Sequence, residues 1–186
     1  AGAMGTTLAS GPATATPPVR FDVAIVAASS LRIQNNVASM VASADLRLQD
    51  YRDIADGPYD AIASIEMFEA VGHAYWPGFF NRVHQLLKPG GRACIQSITI
   101  RDDLFERYVN STDFIQQYIF PGGLLPSPSQ FRAHARAAGL EVVNELAFGA
   151  DYAETLRRWR ERFLAEESQV RRIGFATRFV RTWEFY

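Results

Sequence analysis

Five short apolar segments of the chain have the character of β-strands. They are rich in β-branched and aromatic side chains and end at polar or glycine-containing stretches, which favours strands over helices. The segments are Phe21–Ala28, Leu46–Gln49, Tyr59–Ile65, Arg92–Ile100 and Leu140–Phe148. Arg92–Ile100 is apolar almost throughout, which predicts a strand covered on both faces of its sheet.

Longer segments with apolar residues every three or four positions lie between and after these strands and predict helices. They are Glu66–Leu87, Asp102–Ile119, Pro128–Ala138, Tyr152–Ala165 and Val170–Tyr186. Gly72 and Pro77 interrupt the first, and Pro77 suits the first turn of a helix because its missing N–H needs no partner there. Lys88–Gly91 is expected to form a turn. The alternation of strand and helix predicts an α/β fold with a mostly parallel sheet.

The first 19 residues carry no charge and are small, polar and rich in proline. Such a segment has little apolar surface to bury, so we expect residues 1–19 to be a disordered tail or an expression remnant. The folded part is then expected to begin at about residue 20 and to form one domain.

Composition excludes several classes of protein. The chain is 48% apolar, and its net charge of −1 offers no overall basic surface to a nucleic acid. No run approaches 18 apolar residues, so the pattern predicts no membrane-spanning helix. Cys94 is the only cysteine, which excludes an internal disulfide and a cysteine-based zinc site, and we expect it in the core. The three histidines lack metal-ligand spacing, so no metal is expected.

Five segments carry more specific motifs. They are LRLQDYRD (46–53), SIEMFEAVG (64–72), LLKPGGRACIQSITI (86–100), DFIQQYIFPGGLLPS (113–127) and GADYAETLRRWRERFL (149–164). With these motifs, Asp45 to Tyr186 resembles the cyclopropane-fatty-acyl-phospholipid synthases, which include the mycolic acid cyclopropane synthases. FIQQYIFPGG followed by ADYAETL is the most specific part, because no general α/β pattern requires it.

The resemblance implies a class I S-adenosylmethionine-dependent methyltransferase with a Rossmann-like fold. Such an enzyme methylates the double bond of an unsaturated phospholipid acyl chain, and a bound bicarbonate removes a proton from the resulting carbocation as the cyclopropane closes. The implied cofactors are therefore S-adenosylmethionine and bicarbonate. The implied setting is the cytoplasm, at the inner membrane surface, and residues 101–127 would form the lipid-site insertion. No nucleic-acid partner is expected, and homo-oligomerisation stays open.

Four positions match the catalytic pattern of the family. Glu69 matches the bicarbonate-site glutamate, Ile98 the residue whose backbone N–H contributes, and Tyr152 the tyrosine of the ADY motif. Gln96 stands where many members have histidine, and an amide cannot titrate near neutral pH. Each has an ordinary alternative: Glu69 as a charge favourable to a helix N-terminus, Tyr152 as a packing residue and Gln96 as a buried amide.

Cofactor contacts are expected after two strands. Asp50 and Tyr51 stand where class I methyltransferases contact the adenine, with an ordinary polar loop as the alternative. Ile65 and Glu66 follow the next strand, and Glu66 is expected to begin a helix that faces the cofactor. The methionine moiety normally approaches a glycine-rich turn, yet the sequence contains no G-x-G.

The resemblance therefore predicts an incomplete methyltransferase domain over residues 20–186, lacking the glycine-rich first strand-turn and the last strand. Two functions stay open: a methyltransferase, with cyclopropanation or another C-methylation as its product, or a truncated non-catalytic module that binds a lipid or a partner. Residues 157–181 carry eight Arg and three Glu, a local charge of +5 that leaves −6 elsewhere. This end either docks on anionic lipid or packs Phe175, Phe179 and Trp183 on the sheet.

Overall fold

A computed structural model describes residues 2–9, 25–26 and 46–186 of the chain. The strands in these residues are β1 (Gly2–Ala9), β2 (Ile25–Val26), β3 (Leu46–Arg47), β4 (Tyr59–Ile65), β5 (Leu87–Thr99) and β6 (Glu141–Ala147). The α-helices are α1 (Trp76–Leu86), α2 (Asp102–Val109), α3 (Pro128–Ala137), α4 (Gly149–Ala165), α5 (Glu167–Arg172) and α6 (Thr177–Phe185). Short 3₁₀ turns occupy Tyr51–Asp53, Phe68–Ala70 and His73–Tyr75, and Ile115–Ile119 forms a π-helical turn.

The main sheet has the strand order β4-β5-β1-β6. Strands β4 and β5 run parallel, as the alternation of elements predicts, and β2 and β3 form a separate parallel pair. Strand β1 runs antiparallel to both of its neighbours, so β5 and β6 point the same way. The α/β prediction is confirmed, with a mixed sheet in the described residues.

Strand β1 differs from the disordered tail predicted for residues 1–19. Gly2 lies opposite Thr99 and Ala9 opposite Arg92, while the other edge of the strand pairs with β6. Backbone pairing on two sides does not depend on large apolar side chains, which explains why composition alone predicts the wrong state here. Residues 10–19 and most of the predicted strand Phe21–Ala28 lie outside the described residues.

An aromatic core lies where α1 and α3 cover one face of the sheet. Phe68 is fully buried at its centre, and its ring lies 5.0–5.5 Å, centroid to centroid, from four other aromatic rings. These rings belong to Trp76, Phe79, Phe80 and Phe131. Helix α1 buries one apolar face, with Phe79, Phe80, Val83 and Leu86, and Leu87 is buried at the start of β5. Pro77 lies in the first turn of α1, as predicted.

Strand β5 departs from its prediction in two respects. From Gly91 onward its side chains alternate between buried and accessible, so Ala93 and Ile95 are buried while Cys94 is exposed. The expectation of Cys94 in the core is therefore wrong, because the period of two places it on the opposite face. The predicted turn Lys88–Gly91 is part of the strand, and a Cβ at Gly91 would lie 2.9 Å from the Lys88 carbonyl oxygen.

Three predicted helices are shorter or interrupted. The segment after β4 forms two 3₁₀ turns before α1, and the segment from Asp102 breaks after Val109. The last segment is divided into α5 and α6 at Gly174, whose φ of 104° suits only glycine. Helix α3 ends before Gly139 as predicted. Among the described residues, no helix is long and apolar enough to cross a membrane.

Candidate active site

Three of the four predicted catalytic residues, Glu69, Gln96 and Ile98, lie at the carboxyl ends of the two parallel strands β4 and β5. Ile65 pairs with Gln96 in the register of these strands, so the residues that follow each strand lie side by side. Open α/β sheets commonly bind their ligands at this edge. The 3₁₀ turn Phe68–Ala70 follows β4 directly and carries Glu69.

Glu69 extends its carboxylate from this turn to the end of β5. Its Oε1 accepts a short hydrogen bond from the Ile98 backbone N–H, and the Ser97 hydroxyl, which donates to the Ile98 carbonyl over 3.2 Å, also lowers the pKa of the carboxyl group. Its Oε2 is buried and has no hydrogen-bond partner among the described residues. Burial raises the pKa of Glu69, although these hydrogen bonds act in the opposite direction. An acceptor that is buried and unpaired is a site for a donor that a ligand supplies.

Gln96 and Glu66 form the second polar pair of the site. The Gln96 side-chain Nε2 donates to Glu66 Oε1 over 3.1 Å, and the Glu66 backbone N–H donates to the Gln96 carbonyl over 3.0 Å. Glu66 does not begin a helix, contrary to the prediction: it follows β4 with φ of 50°, and Met67 separates it from the turn. Non-glycine residues in this left-handed conformation are uncommon and concentrate at functional sites.

Tyr152 of α4 joins the same group. Its pKa is raised to about 12, mainly by burial, and also by Tyr186 and by the negative charges of Glu66 and Glu69. Tyr152 shares a hydrogen bond with the Tyr186 side chain. The phenol therefore keeps its proton at neutral pH and can act as a hydrogen-bond donor. Glu69 thus contacts Ile98 directly, Gln96 also lies on β5, and Tyr152 of α4 lies close enough for the charges of Glu66 and Glu69 to raise its pKa.

The predicted adenine contacts have other partners in the structure. Asp50 caps the turn Tyr51–Asp53 by accepting from the Arg52 N–H over 2.9 Å, and it also binds the Arg52 guanidinium. The hydrogen bonds from Arg52 lower the pKa of Asp50 to about 2. The Tyr51 ring packs against Phe79 at a centroid distance of 5.7 Å. Ile65, in contrast, leaves 56% of its surface exposed at the end of β4.

Two residues next to the site, Ser97 and Tyr186, are not among the site residues predicted from the sequence. Ser97 is only 2% exposed, and a buried serine among the apolar residues of β5 is the signal that would have indicated it. Tyr186 is the final residue and gives no such signal. Its role depends on the packing of α6 beside Phe120, whose ring lies 6.1 Å from that of Tyr186.

A family model described as mycolic acid cyclopropane synthetase matches residues 20–186. The chain belongs to this family. Among curated proteins, this family member is 43% identical over 143 residues to the tuberculostearic acid methyltransferase UfaA1 of Mycobacterium tuberculosis. It is also 34% identical over 170 residues to the cyclopropane-fatty-acyl-phospholipid synthase of Escherichia coli.

Solved structures agree with this assignment. Mycolic acid cyclopropane synthase CmaA1, complexed with SAH and CTAB, matches with a TM-score of 0.65 and 27% identity over 81% of this chain and 57% of its own. Cyclopropane synthase MmaA2 of Mycobacterium tuberculosis has a TM-score of 0.66 over 76% of this chain and 52% of its own. The fold of this cyclopropane synthetase family member is therefore an incomplete Rossmann-like methyltransferase fold.

The cyclopropane synthetase family member is shorter than its relatives. The alignments cover 76% and 89% of this chain but only 33% of UfaA1 and 42% of the Escherichia coli synthase. The chain thus spans well under half the length of these two proteins.

Proposed function

We propose that this chain carries the deprotonation site of an S-adenosylmethionine-dependent lipid C-methyltransferase. The acceptor is the double bond of an unsaturated phospholipid acyl chain, and the product is a cyclopropane fatty acid. The observation that carries the proposal is the buried Glu69 carboxylate, which has one oxygen on the Ile98 N–H and one oxygen unpaired. Membership of the family and the names of its relatives supply the reaction class.

The site fits a small anion that also carries a proton. The unpaired Glu69 Oε2 is an acceptor for an O–H group, while the Gln96 amide and the protonated Tyr152 phenol are neutral donors on the other side. Bicarbonate has one O–H and two acceptor oxygens, which matches this set of groups. We therefore assign Glu69, Gln96, Ile98 and Tyr152 to holding it, and it would supply the base for the proton of the methylated alkene.

Neutral donors suit this task because a fixed cation beside the site would oppose a carbocation. Burial raises the pKa of Glu69, so this carboxylate takes up a proton more readily than an exposed one, which limits its repulsion of an anion bound beside it. Gln96 orients its amide through Glu66 and does not itself move a proton. Tyr152, with its pKa of about 12, donates without ionising.

Aromatic rings next to this site favour a carbocation. The rings of Phe120 and Trp183 lie 6.1 Å and 5.7 Å from that of Tyr186, the hydrogen-bond partner of Tyr152. Aromatic faces attract cations, and the Phe120 and Trp183 side chains, 52% and 39% exposed, offer apolar surface that an acyl chain would cover. These side chains are the ones we assign to the acyl chain near its reacting carbon atoms.

S-adenosylmethionine would supply an electrophilic methyl group at the carboxyl ends of β4 and β5. The exposed Ile65 and the neighbouring Glu66 are the described residues best placed to contact it, since both end the strand that borders the site. Asp50 and Tyr51 stay candidates for binding the adenine. To accept a hydrogen bond from the adenine amine, the Asp50 carboxylate would give up part of its contact with Arg52.

A second product is favoured by one comparison. The higher of the two identities, 43%, is to a protein named tuberculostearic acid methyltransferase, and the identity to a protein named cyclopropane-fatty-acyl-phospholipid synthase is 34%. In the same methylated cation, a 1,2-hydride shift can first move the positive charge to the carbon that bears the new methyl group. Loss of a proton from that methyl group then leaves a methylene branch instead of a ring. This alternative uses the same residues.

Calorimetric titration with S-adenosylmethionine, followed by incubation with dioleoylphosphatidylglycerol vesicles, tests the proposal. We expect binding of the cofactor and a mass gain of one CH₂ in the acyl chain. Proton NMR of the product then separates the two outcomes, because cyclopropyl protons resonate upfield and methylene protons in the vinyl region. Absence of cofactor binding at millimolar concentration would support the truncated, non-catalytic module instead.

A further inference from the structure

An open cavity of about 470 Å³ lies between helix α6 and the segment that leads into the π-helical turn. Two cationic side chains and two hydroxyl groups from α6 line it together with two phenylalanine rings. The lining residues are Phe114, Thr177, Arg178, Arg181, Thr182 and Phe185. One side of the cavity is therefore suited to an anion and the other to an apolar group.

Arg178 and Arg181 differ from most other arginines of this end of the chain. Arg157 and Arg158 pair with Glu154, Arg160 with Glu184 and Arg171 with Glu167. Within the part of the chain that the structure describes, neither Arg178 nor Arg181 has a carboxylate partner. The local charge of residues 157–181 is +5, so the surrounding field also attracts an anion to the cavity.

Helix α6 carries aromatic residues both at this cavity and next to the candidate active site. The Phe114 and Phe185 rings lie 4.8 Å apart at the cavity. The Trp183 ring of the same helix lies 5.7 Å from that of Tyr186, which shares a hydrogen bond with Tyr152. The same helix therefore borders both the cavity and the pair of tyrosines.

We propose that the cavity binds the phosphodiester of an anionic phospholipid, with Arg178 and Arg181 at the phosphate oxygens and the two phenylalanine rings beside the apolar part of the lipid. This inference rests on the proposed function, since it concerns the same substrate. Guanidinium groups bind phosphate oxygens in a bidentate manner, and the apolar rings contact the glycerol and the first methylene groups. The Phe185 side chain is 74% exposed, and an acyl chain would cover it, whereas inorganic phosphate would not.

Vesicle binding by the full chain in the absence of S-adenosylmethionine tests this site. The probes are vesicles of dioleoylphosphatidylglycerol and of dioleoylphosphatidylcholine, with inorganic phosphate as a soluble competitor. The test variant is Arg178→Gln/Arg181→Gln. The control is Arg136→Gln/Arg162→Gln, which removes the same charge at two exposed helical positions outside the cavity lining.

We expect the test variant to bind phosphatidylglycerol vesicles roughly 25-fold more weakly, because each arginine near an anionic surface contributes about fivefold. The control should change binding less than about threefold, and millimolar phosphate should not displace the vesicles. Equal losses in both variants would overturn the proposal in favour of general surface charge, and displacement by phosphate would overturn it in favour of a free-anion site. Since no methyl transfer is measured, a failure here is distinct from a failure of the proposed reaction.

Discussion

Phe68 and Glu69 are neighbours in one 3₁₀ turn, yet they belong to two regions that are stabilised in opposite ways. Phe68 is fully buried, and four aromatic rings surround it within 5.5 Å. Glu69 is partly buried, and one of its carboxylate oxygens has no partner among the described residues. The aromatic core is thus packed on every side, whereas the adjoining site keeps an unpaired polar group.

The difference shows how this turn functions. The rings around Phe68 hold the 3₁₀ turn Phe68–Ala70 in position. Because Glu69 belongs to this turn, its carboxylate is held against the end of β5. A second anchor is the Glu69 carbonyl, which accepts from the Leu124 N–H over 3.0 Å. Packing therefore supplies the free energy that holds a desolvated carboxylate in place, as is usual where a site keeps an unfavourable group.

The largest expected effect concerns the packed side of the turn. Phe68→Ala removes a fully buried ring and should lower the free energy of unfolding by about 3–5 kcal/mol. Phe68→Leu keeps most of the volume and should cost less than about 1.5 kcal/mol. Urea unfolding followed by tryptophan fluorescence measures both, since Trp76 contacts Phe68. Equal, small losses for the two variants would show that Phe68 is not the centre of the core.

The next effect concerns the functional side. Glu69→Gln keeps the size and the acceptor for the Ile98 N–H, but it replaces the unpaired acceptor with an NH₂ group. We expect turnover to fall about 100-fold, comparable to the loss of one preorganised polar group, with S-adenosylmethionine affinity nearly unchanged. Turnover is measured by mass spectrometry of the lipid and affinity by calorimetry.

The matched control for this variant is Glu141→Gln, at an exposed carboxylate on β6. It should leave both turnover and cofactor affinity as they are in the parent chain. Unchanged turnover in Glu69→Gln would remove Glu69 from the site, whereas a parallel loss of cofactor affinity would give it a binding role instead.

Local signals explain which elements could be predicted from sequence. Strand β4 has the predicted bounds Tyr59–Ile65, because its apolar run is short and ends at a charged residue. Helix α3 begins after Ser127, whose hydroxyl accepts from the Gln130 N–H, and it ends before Gly139, whose φ is 80°. In each case a capping or terminating residue is visible in the sequence.

Features that depend on register could not be predicted in this way. The exposure of Cys94 follows from which face of β5 meets α1, and the contact of Glu69 with Ser97 and Ile98 follows from the alignment of β4 with β5. The family resemblance named Glu69, Gln96, Ile98 and Tyr152 without their geometry. Strand β1 escaped prediction because its pairing with β5 and β6 spans most of the chain.

The smallest expected effect is a dependence of stability on pH that has opposite signs at two carboxylates. Burial raises the pKa of Glu69 above its ordinary 4.5, so the folded state binds the proton more tightly than the unfolded state does. Glu69 therefore favours folding fully below pH 4.5 and loses this contribution as the pH rises through its raised pKa. Hydrogen bonds from Arg52 lower the pKa of Asp50 from 3.8 to about 2, so its contribution is present above pH 3.8 and is lost as the pH falls toward 2.

Urea unfolding of the parent chain, Glu69→Gln and Asp50→Asn across this pH range tests both signs. As the pH falls, the parent should gain stability relative to Glu69→Gln and lose stability relative to Asp50→Asn, because all other titrating groups cancel in each difference. A flat difference for Glu69→Gln would mean that water reaches its carboxylate freely. The Glu69 carboxylate would then be no more desolvated than an exposed one. Its unpaired oxygen would no longer mark the place of a proton-carrying anion.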